Sequence, residues 1–83
     1  MDRTIAEEIV RAAVDCDIRL NKALRFVESN GTQAEFEAYR SAVAPIIWQL
    51  FERLQLPVYE EYIDLAPEEL HDVVKRSIAQ RQK

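Results

Sequence analysis

Apolar residues recur at three- and four-residue steps along two long stretches of this chain, a spacing that predicts helices. In the first stretch Ile5, Ile9, Ala12, Ala13, Cys16, Leu20, Ala23, Leu24 and Val27 share a face, predicting a helix over residues 4–29. Val10, Val14 and Ile18 widen that stripe beyond what one partner helix covers, so more than one neighbour is expected. In the second stretch Phe36, Tyr39, Val43, Ile46, Ile47, Leu50, Phe51 and Leu54 form a broad face over residues 33–55, the pattern of a central helix. A shorter helix is predicted over residues 67–80, with Leu70, Val73, Val74, Ser77 and Ile78 inward.

The ends of these helices are written in the residues that flank them. Asn30-Gly31 predicts a C-terminus closed by a left-handed glycine. Thr32 and Glu35 have the spacing of a capping box, so the connection is about three residues and the first two helices form an antiparallel hairpin. Pro57 is expected to end the second helix, because the residue before a proline is pushed out of helical geometry. Pro45 falls inside that helix, where a kink rather than a break is expected, and points away from the Phe36 face. Residues 58–62 suit a single helical turn, and Pro67 with Glu68 and Glu69 marks the last helix start.

Composition narrows the class further. One Gly and three Pro in 83 residues leave few turns, which disfavours β architectures. The chain is read as one all-α domain over residues 1–83, a three-helix bundle of two long helices and a shorter C-terminal one. At 1.5 Å per residue the long helices are about 39 and about 36 Å and the last about 21 Å, too short to cover both. Dimerisation is therefore expected to complete the bundle, a two-fold homodimer being the default. No apolar run approaches the roughly 20 residues of a membrane helix, the first residues lack a signal-peptide order, and one Cys precludes an internal disulfide. A cytoplasmic protein is expected. A net charge of −4 disfavours nucleic-acid binding. Glu60, Glu61, Asp64, Glu68, Glu69 and Asp72 form an acidic block ahead of Lys75, Arg76, Arg81 and Lys83, an order that complements a helix dipole.

No constellation for catalysis emerges, and no cofactor or small-molecule substrate is implied. Glu68 and His71 have the spacing of a di-metal ligand pair, but such sites need a second pair and more inward carboxylates than a chain with one His supplies. Cys16, beside Asp17 on the apolar stripe, reads as a buried structural cysteine. Asp17 and Arg40 intrude on the apolar faces of the first two helices, where they either pair and set register or, for Arg40, reach solvent. Val14, Ile18 and Trp48 lie at the margins of the stripes and are the expected protein–protein contact. The competing occupant of that edge is the turn carrying Tyr59 and Tyr62.

The stretch P-V-Y-E-E-Y-I-D-L-A-P-E-E-L over residues 57–70 resembles the tail of small uncharacterised bacterial all-helical proteins, P-[IV]-Y-x-x-[HY]-P-D-L-x-P-E-x-L. Ile63 stands where that pattern has proline. The resemblance covers 14 of 83 residues; it implies a bacterial, cytoplasmic helical protein and no activity. Three functional expectations follow. The first is a non-catalytic interaction or assembly module, the second an acidic, antitoxin-like inhibitor that blocks a basic partner, and the third, weakest, a metal-binding helical protein.

Overall fold

The computed structural model describes residues 1–81. Helix α1 spans Arg3–Asn30 and starts at Asp2, whose carboxylate accepts the Thr4 N–H at 2.6 Å. It runs antiparallel to α2, Gln33–Gln49, through the short turn at Gly31. The capping box is formed in full: Thr32 N–H donates to Glu35 Oε1 at 2.8 Å, and Glu35 N–H donates to Thr32 Oγ1 at 3.1 Å. The bond from Thr32 N–H holds the Glu35 carboxyl below its ordinary range. Pro45 lies exposed within α2, which continues through it.

Two expectations about the backbone are corrected. Gly31 is not left-handed but extended, with φ −96° and ψ −180°, while its N–H closes α1 on the Val27 carbonyl at 2.8 Å. Thr32, the cap of α2, is also extended, so the chain leaves one helix and enters the next through two β-region residues and needs no positive φ. Pro57 does not end the second helix either. From Leu50 to Gln55 the bond pattern widens to π, and α3 follows over Leu56–Glu61 with Pro57 in its first turn. Leu56 keeps helical angles, φ −57° and ψ −47°, and its N–H reaches back to the Phe51 carbonyl. The wider turn spreads the carbonyls that a helical proline ring would crowd, so the helix changes its bonding instead of stopping.

The chain then makes two 3₁₀ turns, Ile63–Leu65 and Glu68–Leu70, before α4, His71–Arg81. The fold is all-α, with no strand among the described residues, and no helix of it is long and apolar enough to cross a membrane. Its core is displaced to one end. Tyr59, 1% exposed, packs with Ala66 and Val74, and Val10 of α1, Phe51 and Leu56 close around them. Ala6 and Ala13 are buried, small enough to let other helices approach α1 closely. The buried Gln55 amide donates to the Tyr59 hydroxyl at 3.0 Å, so both polar groups are satisfied.

Polar ties fasten the same end. The Met1 amino group lies 2.7 Å from Glu61, the Tyr62 hydroxyl donates to the Met1 carbonyl, and Arg3 forms a two-pronged contact with Asp64. Hydrogen bonding from Arg3 holds the Asp64 carboxyl below its ordinary value of 3.8. A carboxyl depressed on folding stabilises fully above its unfolded value and loses that contribution as pH falls through the lower folded value. Thermal melts of the unmutated chain are therefore expected to fall below about pH 4, and more steeply than those of Asp64→Asn. Parallel curves for the two proteins would remove Asp64 as a source of acid sensitivity. The effect is modest because the pair is exposed to solvent.

Candidate interaction surface

The extents of 46 × 28 × 19 Å and radius of gyration of 15.3 Å describe an elongated molecule. A compact chain of this length has a radius near 12 Å. Its accessible surface is 6087 Å², about 1,000 Å² more than the roughly 5,100 Å² typical of a monomer of this mass. The surplus follows from the topology. Residues 56–81 build their layer against the start of α1 and the π segment, and the rest of the hairpin keeps an apolar side in the open.

That side is a continuous groove between α1 and the α2–π rod. At its middle Cys16, Arg19 and Leu20 face Ile46 and Leu50 across an open cleft. Toward the π segment the cleft runs on past Gln49 and Arg53 to Leu54. Toward the turn it passes Lys22, Ala23, Phe26 and Val27 and reaches Tyr39. Ile5 at 55%, Phe26 at 67% and Ile46 at 51% exposed are large apolar side chains left in solvent. Isolated exposed apolar residues are ordinary; a seam of them along one side of a hairpin is not.

Cys16 is exposed, which corrects its expected burial. The physical reason is rotation about the α1 axis. Ala13 points into the hairpin, so Ile5, Ala12 and Cys16, at the margin of the same stripe, face outward. The expected contact residues are placed differently. Trp48 is 60% exposed and tilts against Phe51, centroids 5.8 Å apart, in a cleft that also holds Leu56, Val73, Arg76 and Ser77. Ile18 is exposed and Val14 half-buried, and neither lines that cleft. Tyr59 is taken by the core, so it does not cover them.

Asp17 and Arg40 are not brought together. Asp17 accepts from Asn21 at 2.6 Å and Arg40 donates to Glu37 at 3.0 Å, each satisfied one turn away on its own helix. The hydrogen bond from Arg40 lowers the Glu37 carboxyl. Arg40 is exposed, as expected of a side chain that reaches solvent along its stem. Level with the Asp17 stretch the structure sets Ile46 and Leu50, a full turn or more beyond Arg40.

Chemistry elsewhere is sparse. His71 Nε2 lies 3.0 Å from the Ala66 carbonyl, so as donor it ties the start of α4 to the preceding turn. Among the described residues no three His, Cys, Asp or Glu side chains gather in metal-binding geometry. Within the acidic block Glu60 meets Arg81 at 3.1 Å, Glu61 meets the Met1 amino group and Asp64 meets Arg3. Comparison with protein-family models, curated proteins and solved structures returns no match.

Proposed function

We propose that this chain is a non-catalytic assembly module that works by self-association through the hairpin groove. The observation that carries this reading is the continuous apolar groove on an elongated fold with about 1,000 Å² of surplus surface. Such a face is stable in water when another polypeptide covers it. The in-chain ion pairs of Glu60, Glu61 and Asp64 leave less free acidic surface for the inhibitor alternative. The single Cys is a free, exposed thiol, which suits a reducing compartment such as the cytoplasm.

Sedimentation equilibrium across a hundredfold range of concentration tests the proposal. A mass above the 9.7 kDa of one chain, declining on dilution, is expected. Ile46→Lys, which places a charge on the groove wall, should shift that decline to higher concentration by about tenfold or more. The mass of one chain at every concentration would overturn self-assembly.

A further inference from the structure

We infer that the groove is filled by a second copy of this chain, the two α1 helices lying antiparallel with their two-fold axis beside Cys16; the inference rests on the assembly reading above. The spacing of the open stripe is symmetric about that residue. Counting outward from Cys16, Ala12 and Leu20 are each four residues away, Ile9 and Ala23 seven, Ile5 and Val27 eleven. An antiparallel two-fold contact centred there sets Ala12 against Leu20 of the second copy and Ala23 against its Ile9. Ile5 meets Val27 at the two ends. Small therefore faces large at both inner positions, the condition for interdigitation without voids. A parallel pairing sets each residue against its own copy, Leu20 on Leu20 and Ala12 on Ala12, and loses that fit. Ile46 and Leu54, on the far wall of the groove, close over α1 of the second copy.

Charge order along α1 selects the same direction. On one flank of the stripe the acids Glu8 and Asp15 precede the bases Arg19 and Lys22, all four within a narrow arc of the helical wheel. Antiparallel pairing brings Asp15 near Arg19 of the second copy and Glu8 near its Lys22, whereas parallel pairing sets like on like. Within the chain Glu8 also holds Arg11 at 2.7 Å, while Asp15, Arg19 and Lys22 have no ion pair among the described residues. Area agrees as well. A standard-size interface removes about 800 Å² from each partner, close to the surplus surface of this fold.

The experiment uses the unmutated chain first. A short bismaleimide, applied at concentrations where sedimentation reports a dimer, is expected to join two chains through Cys16, and Cys16→Ser is expected to give no linked product. Two substitutions then exchange the facing shapes. Ala12→Leu and Leu20→Ala should each weaken dimerisation by about tenfold or more, because each contact occurs twice across the axis. The double variant exchanges large and small across the axis and should recover most of that loss, with circular dichroism checking that each variant stays folded. A dimer whose Cys16 residues are not linked, or a folded double variant no better than the singles, overturns this arrangement and leaves self-assembly standing. One-chain mass at every concentration overturns both. Because cross-linking needs no variant fold, misfolded substitutions do not blunt the test.

Discussion

Tyr59→Ala is expected to destabilise the protein by about 3–5 kcal/mol, the loss typical of truncating a buried aromatic ring. The side chain is 1% exposed and sits at the centre of the only cluster that joins α1, the π segment, α3 and α4 among the described residues. Few other contacts can compensate, since most of the remaining apolar side chains are partly open to water. A domain of this size has about 5–15 kcal/mol in total, so the change removes a large share of its stability. Urea unfolding followed by circular dichroism reads the effect directly. Tyr59→Phe should cost less, about 1–3 kcal/mol, because it strands only the Gln55 amide. If Tyr59→Ala unfolds at the same urea concentration as the unmutated chain, the displaced core is not where the stability resides.

Gly31→Val is expected to lower stability by about 1–3 kcal/mol, for a reason of space and not of handedness. A Cβ on Gly31 would stand 2.9 Å from the Val27 carbonyl oxygen and 3.3 Å from a Val27 methyl. That carbonyl is the one closing α1, so it cannot swing aside without opening the last turn. On a chain this long the loss corresponds to a melting temperature lower by roughly 4–8 °C for each kcal/mol. The two explanations differ in a second variant. Asn tolerates left-handed backbone where Ala does not, so a handedness effect would favour Gly31→Asn over Gly31→Ala. Here the two are expected to melt alike, and a clear advantage for Asn would falsify the steric account.

What could be read from the residues was what depends on near neighbours. Thr32 and Glu35 satisfy each other across three residues, so the start of α2 is legible without the rest of the molecule. Periodicity likewise placed both long helices and the final one. The conformation of Gly31 was not legible, because two extended residues and a left-handed glycine connect helices equally briefly. Pro57 misled because its meaning depends on whether the preceding turn is α or π, and that is set by the seat Tyr59 finds between α1 and α4. The groove was half visible. Its residues are on the stripe of α1, but a stripe that wide does not say which margin meets α2, and Ala13 took the centre. For the same reason Val14, Ile18 and Trp48 were grouped by their marginal positions although the fold separates them between two surfaces. Asp17 and Arg40 were paired across the hairpin when each had an acceptor or donor within its own helix.

The widened turn at Leu50–Gln55 makes the chain unequally tolerant of changes in length. An α-helix advances about 100° per residue, so removing one residue from this turn and restoring ordinary bonding would swing everything after it by roughly that angle. Val58 and Tyr59 would rotate off α1 and take the C-terminal layer with them. The same deletion between Tyr62 and Pro67 falls among short 3₁₀ turns, which can absorb it locally. A descendant of this chain can thus gain or lose residues near Ala66 far more freely than near Arg53, however exposed Arg53 is. Phase along the rod, more than composition, is what its lineage has to conserve.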